Sequence, residues 1–147
     1  AVSPYSNWKQ KDWAIEKYFE LFKNDFFKNY TIIFTGISKD IPNREKFFKM
    51  IDDSSLNIFN LFDWGNLRHM IPIFNQCKFF IGSDSGLMHL AASTNCKTFA
   101  LFGPTNEIVY GPWGDHKVIK SLDYPAIDDP LNLPVEKVLN IIKKEMG

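Results

Sequence analysis

Residues 78–114 read KFFIGSDSGLMHLAASTNCKTFALFGPTNEIVYGPWG, and the fold turns on this stretch. Its pattern predicts a strand from Lys78 to Gly82, a tight polar turn, and a short helix beginning near Ser85. A second strand, Lys97 to Phe102, then runs into the loop Gly103, Pro104, Thr105. Both strands are short, apolar and rich in Phe, as expected where a parallel sheet buries both faces of its strands. The turn carries Ser83, Asp84, Ser85 and Gly86. Asp and Ser oxygens accept bonds from the free N–H groups of a first helical turn, so Asp84, beside the helix start, is expected to cap. Gly86 leaves the backbone open to close approach. A strand, a small polar turn and a helix N-terminus together suit a phosphate.

The same turn is ordinary punctuation in any αβ unit, because every helix start needs its N–H groups satisfied. Two features weigh toward a site. His89 lies four residues after Ser85, on the same helical face one turn on. The Thr105 loop follows the next strand, so two successive loops converge where open α/β sheets bind ligands, beyond the carboxyl ends of the strands.

Outward from this centre the pattern continues as strand and helix in turn. Ala1 to Ser6 reads as the end of a first strand entering a loop, followed by a helix from about Asp12, its expected N-cap, to Asn29. Ile15, Tyr18, Phe19, Phe22 and Phe26 recur at helical spacing and form a core stripe. Thr31 to Thr35 is β-branched and apolar, a strand. Pro42 suits the first turn of a helix to about Asp53. Asn57 to Phe62 is the third strand, and the loop Asp63, Trp64, Gly65, Asn66 leads into a helix from about Leu67 to Asn75. Pro72 inside it implies a kink or a late start. Glu107 to Gly114 reads as a loop, Lys117 to Lys120 as a short strand, and Pro134 to Met146 as a closing amphipathic helix. Val135, Val138, Ile141 and Ile142 mark its apolar face.

The chain has 147 residues, enough for one domain with a real core. Its formal charge is balanced, which argues against a non-specific nucleic-acid or anionic-membrane binder. No apolar run approaches the roughly 20 residues that cross a bilayer, and no basic-then-apolar leader opens the chain. A soluble cytoplasmic protein is therefore expected. The first residue is Ala rather than Met, and the chain is expected to be an excised or processed piece of a longer protein. Cys77 and Cys96 each precede a strand of the central pair, and reduced core thiols are expected. The 16% aromatic share has two readings: codon bias toward Phe, or aromatics that face a partner domain.

DSGLMHLAAS, then ALFGPT, then YGPWG resemble the signature region of glycosyltransferase family 9, the lipopolysaccharide heptosyltransferases. That pattern runs Asp, Ser or Thr, Gly, two variable positions, His, Leu and two small residues, with a later Phe-Gly-Pro-Thr loop. SNWKQKDWAIEKYFEL resembles the family's Lys-x-Trp segment ahead of a helix, and LPVEKVLNIIKK its closing helix. Many relatives carry paired cysteines where this chain has SLDYPAIDD, so no cysteine-based feature is expected there.

The resemblance implies an α/β fold: a Rossmann-like parallel sheet with helices on both faces, the C-terminal half of a B-type two-domain glycosyltransferase. Residues 1–147 would be the nucleotide-sugar donor-binding domain, without the N-terminal acceptor domain. It implies that Ser6, Lys11, Asp40, Trp64, Gly65, Asp84, Ser85, Gly86, His89 and Thr105 bind the donor. Lys11 would pair with phosphate as a compact charge, with Lys9 its competitor. Asp40, or Glu45 as second choice, would take the ribose hydroxyls. Trp64 stays open between stacking on the base and acting as a hydrophobic staple.

The implied reaction is an inverting transfer of heptose from ADP-heptose to a lipid A–Kdo/heptose core acceptor. The general base would lie in the other domain, so no catalytic residue is assigned in this chain. No cofactor and no metal would be needed, since the helix end and Lys11 take the place of a cation. Partners are then the nucleotide-sugar donor and, through the other domain, the lipopolysaccharide acceptor, with room for peripheral contact at the inner membrane. A stand-alone nucleotide-binding regulatory module is the alternative. A dehydrogenase-type Rossmann domain fits less well, because no Gly-x-Gly-x-x-Gly follows a predicted strand.

Overall fold

A computed structural model describes residues 1–103, 105–121 and 131–147. Pro104 and the SLDYPAIDD segment beyond Ser121 lie outside these residues. Strands β1 (Val2–Ser3), β2 (Ile32–Gly36), β3 (Ile58–Phe62), β4 (Phe79–Ser83), β5 (Lys97–Phe102) and β6 (His116–Lys120) form one sheet. Its order is β3-β2-β1-β4-β5-β6, and every pairing is parallel. Helices α1 (Ile15–Phe22), α2 (Arg44–Asp52), α3 (Leu67–Gln76), α4 (Gly86–Ala92), α5 (Glu107–Tyr110) and α6 (Val135–Met146) connect and flank it. This is the doubly-wound order, which reverses direction between β1 and β4.

Alternation along β4 and β5 divides the core in two. Phe79, Ile81, Phe99 and Leu101 pack with Phe19, Phe22, Phe47, Val138 and Ile142 from α1, α2 and α6. Phe80, Ala100 and Phe102 point the other way, against Met70, Phe74, Met88 and Ala91 from α3 and α4. Both faces of the two strands are buried, which is why they read as continuous apolar runs. β3 at one edge is half exposed. Cys77 and Cys96 are free thiols at the second cluster.

Several boundaries differ from the sequence expectation, for identifiable reasons. The helix expected from Asp12 to Asn29 is only Ile15–Phe22, followed by a separate 3₁₀ turn at Asp25–Phe27. Asn24 breaks it by accepting from the Phe26 N–H, and Phe27 rather than Phe26 becomes the buried ring. Asp12 does not cap α1: the N-cap is Ala14, with no side-chain bond. Residues 12 and 13 are held extended by contact with the chain around Leu131. The Leu131 N–H donates to Asp12 O at 2.7 Å, and the Trp13 indole N–H donates to Leu133 O at 2.8 Å. Pro42 precedes α2 instead of opening it, because Asn43 is the cap and accepts from the Lys46 N–H. Pro72 lies within a continuous α3 that starts at Leu67. The expected loop after Glu107 begins as α5, capped by Asn106. The closing helix matches expectation within a residue.

Candidate functional site

The chain leaves β1 and β4 on neighbouring paths, and the space beyond their carboxyl ends is a cleft of about 560 Å³. It lies at the reversal of strand order, where no crossover connection covers the gap between adjacent loops. Ser6, Asp40, Trp64, Gly65, Ser85 and Gly86 all line it. A smaller cavity of about 290 Å³ opens at the opposite end of the sheet, near Ala1 and Tyr30, where no such loops converge.

At the β4 corner Ser85 is the cap of α4, its hydroxyl accepting from the Met88 N–H at 3.4 Å. The next two N–H groups, of Gly86 and Leu87, have no intrahelical acceptor by the geometry of a helix start. An added Cβ on Gly86 would meet no atom within 4 Å, so this corner is open toward the cleft. The cap expected at Asp84 is therefore Ser85. Asp84 lies one residue earlier, and its carboxylate turns to other loops.

Asp84 Oδ2 accepts from Lys11 Nζ at 3.0 Å and from Thr105 Oγ1 at 3.0 Å. Its Oδ1 is 3.7 Å from His89 Nε2. The loops after β1, β4 and β5 thus meet on one carboxylate whose side chain is 8% exposed. Lys11, expected to be open to a phosphate, is already paired there. Lys9, its competitor, is exposed and lines a different hollow beside Asp12 and Lys46.

The loop that carries Ser6 and Lys11 is tied down by Asp12. Asp12 Oδ1 accepts from the Ser6 N–H at 2.8 Å and from the Ser6 hydroxyl at 2.7 Å. Burial pushes the Asp12 carboxyl up to about 7, against the pull of the Ser6 bonds. Ser6 lines the cleft, and its hydroxyl lies within hydrogen-bond distance of both Asp12 Oδ1 and the Trp8 carbonyl.

The opposite wall comes from the loops after β2 and β3. Asp40 ends a 3₁₀ turn, Ser38–Asp40, and borders the cleft. Glu45 stands exposed in the first turn of α2. Asp63 takes a positive φ of 59° and accepts from the Ser38 N–H at 2.8 Å. Hydrogen bonds from Ser38 hold its carboxyl below the usual carboxylate range. Gly65, at φ 63°, passes so near His69 that an added Cβ would lie 2.5 Å from Nδ1. Asn66 then caps α3 and donates its own N–H to His69 Nδ1. Trp64 is 50% exposed beside the cleft, its ring tilted 5.8 Å from that of His69. His69 is the third residue of α3, not the position that a hydrophobic staple would use.

Among the residues that border or brace the cleft, Tyr5, Asp12 and Asp63 were not expected. Asp63 carried a signal in Asp-Trp-Gly-Asn, since Asp and Gly tolerate the left-handed backbone that closes such a turn. Asp12 was misassigned because a cap and a loop brace have the same composition. Among the described residues no group of three or more His, Cys, Asp or Glu side chains gathers as a metal site, and no helix is long and apolar enough to cross a membrane.

The chain is similar to known proteins in sequence and in fold. The lipooligosaccharide heptosyltransferase 2 of Haemophilus influenzae is 29% identical over 110 residues, 74% of this chain and 32% of that protein. The lipopolysaccharide heptosyltransferase 2 of Escherichia coli is 29% identical over 97 residues, 65% of this chain and 28% of that protein. The chain thus spans about a third of the length of the curated relatives it matches. The solved E. coli ADP-heptose lps heptosyltransferase II superposes with a TM-score of 0.80 at 23% identity, over 99% of this chain and 46% of that one. E. coli heptosyltransferase WaaC with ADP superposes with a TM-score of 0.77 at 21% identity, over 97% and 43% of the two chains. The model of glycosyltransferase family 9 (heptosyltransferase) matches residues 1–131, and the chain belongs to that family.

Proposed function

We propose that this chain is the donor-binding half of an inverting glycosyltransferase that moves heptose from ADP-heptose to a lipopolysaccharide inner-core acceptor. The observation that carries the reading is the open Gly86 corner at the reversal of strand order, in a chain of this family. The diphosphate would lie across the Gly86 and Leu87 N–H groups, with Lys11 and Thr105 at its side. The ribose would face Asp40, and the base would rest against the loop 63–66, with Trp64 as its stacking surface.

As the bond from the anomeric carbon to the diphosphate oxygen breaks, negative charge builds on the leaving group. Donors already aimed at that position stabilise it without reorganising, and each such donor contributes a few kcal/mol, about 3, to a transition state. Asp84 is already engaged with Lys11 and Thr105, so the acceptor hydroxyl's proton goes to a base contributed outside this chain. The relatives are named for lipopolysaccharide and lipooligosaccharide heptose transfer, which supports the sugar and acceptor named here. A cytoplasmic location with contact at the inner membrane face accords with a nucleotide-activated donor and a lipid-borne acceptor. The stand-alone module has no observation of its own in its favour.

The test is a calorimetric titration of the chain with ADP, UDP, GDP and ADP-heptose. ADP and ADP-heptose are expected to bind in preference to the other two. A preference for UDP would move the function away from heptose transfer and leave the fold untouched.

A further inference from the structure

We propose that Asp63 is a positioning residue that clasps the loops after β2 and β3, holding Asp40 and Trp64 at the spacing a bound nucleoside needs. The inference rests on the donor-site reading above. It starts from a conformational oddity. Asp63, at φ 59°, is the one non-glycine residue with a positive φ among the described residues. If the turn needed only a left-handed backbone, glycine would serve at no steric cost, as Gly65 does at φ 63°. What aspartate adds is a carboxylate, and its bond shows where that carboxylate is used.

β2 and β3 stay paired as far as Gly36 and Phe62, and the Asp63 N–H adds one more bond, to Gly36 O at 3.0 Å. Beyond it the two backbones turn into separate loops. Asp63 Oδ1 spans the gap between them by accepting the Ser38 N–H at 2.8 Å. Ser38 anchors the Asp40 turn in its turn. Its carbonyl accepts from the Ile41 N–H at 3.1 Å and from Arg44 Nε at 3.0 Å, so the turn Ser38–Asp40 moves with it. On the other side the Trp64 N–H donates to Leu61 O at 3.2 Å, directly after Asp63. Asp40, Asp63 and Trp64 border the cleft, whereas Ser38 does not.

The clasp is exposed to water, so losing it costs the fold little. Its effect falls on binding. Loops already in their bound arrangement need no ordering by the ligand, and the entropy of fixing them is not subtracted from affinity. Without the clasp, Asp40 and Trp64 stand on loops joined only at their strand ends, and a nucleoside must bring them together.

The experiment measures ADP affinity and thermal unfolding of the wild-type chain, Asp63→Gly, Asp63→Asn, Ser38→Pro and the double variant Asp63→Gly/Ser38→Pro. Asp63→Gly keeps the left-handed turn and deletes the clasp. It should keep the wild-type Tm and bind ADP about fivefold more weakly, the cost of re-ordering roughly one backbone residue. Asp63→Asn accepts the same N–H through its amide oxygen and tolerates a positive φ, so it should bind as wild type does. Ser38→Pro breaks the clasp from its other end, at a residue outside the cleft. Ile37, at φ −110° and ψ 126°, already has the backbone that precedes proline, and proline suits the first residue of the turn. The same loss is expected, and the double variant should lose no more than either single one.

Asp63→Gly at the wild-type Tm with unchanged ADP affinity overturns the inference and leaves the donor site standing. Failure of Asp63→Asn to restore binding, or additive losses in the double variant, does the same. Should Asp63→Gly lower Tm, Ser38→Pro decides by the same criterion. A lowered Tm in both shows that the contact serves the fold and also overturns the inference. Absence of ADP binding by the wild type removes the inference and the donor-site reading together.

Discussion

Gly86→Ala separates a residue kept for its fold from one kept for its site. Gly86 is the first residue of α4, and an added Cβ would meet nothing within 4 Å. Its φ is not positive, so the backbone admits alanine without strain. Alanine narrows the unfolded ensemble and suits a helix better, which stabilises a protein by about 0.4–1 kcal/mol at a compatible site. For a domain of this size that corresponds to a rise in Tm of roughly 1–4 °C. The same methyl group would project into the cleft at the N–H groups proposed to face the diphosphate. Forcing a phosphate outward by about 1 Å lengthens its charge-assisted bonds, and losing one such bond costs ~1.5–3 kcal/mol, or roughly 10- to 150-fold in affinity. Thermal unfolding and ADP titration of the same preparation give the two numbers. Stability that rises while ADP affinity falls supports the reading. A variant with raised stability and unchanged affinity would show that the anion binds elsewhere, and the phosphate corner would have to be abandoned.

Trp64→Ala should change stability by less than about 0.5 kcal/mol, because the ring is half exposed. If Trp64 stacks on the base, ADP affinity should drop by about 1–3 kcal/mol with pyrophosphate affinity unchanged; equal losses for both probes would disprove stacking. Asp12 is an acid whose folded value, about 7, lies above its ordinary 3.8. The folded state therefore binds the proton more tightly, and Asp12's contribution to stability is lost as pH rises from about 4 to 7. A rise of that size corresponds to at most about 4 kcal/mol. Asp12→Asn removes this dependence, so its stability relative to wild type should climb across that window in urea unfolding; a constant difference would show that Asp12 does not titrate there.

Alternating strand and helix, a fully apolar pair of central strands and a polar turn ahead of α4 were legible in the linear pattern. Burial imposes a period on side chains, and that period survives in the sequence. For the same reason the α1 boundary was not legible. Phe26 and Phe27 keep the apolar stripe running through the break, while the break itself is a hydrogen bond from Phe26 to Asn24, which leaves no mark on hydropathy. Asp12 and Asp84 show the limit at the site. Each sits near a helix start and has the composition of a cap, yet one braces Ser6 and the other gathers Lys11 and Thr105.

The sequence by itself determined that the chain is α/β, which short apolar runs form its two central strands, and where a small polar turn leads into α4. These follow from spacing and from the local geometry of a strand leading into a helix. Only the tertiary structure decided that β1 lies between β2 and β4, so that Lys11, 73 residues away along the chain, and Thr105, 21 residues away, both reach Asp84. Pairing across such distances depends on which strands share backbone hydrogen bonds, and no local pattern of side chains encodes that choice.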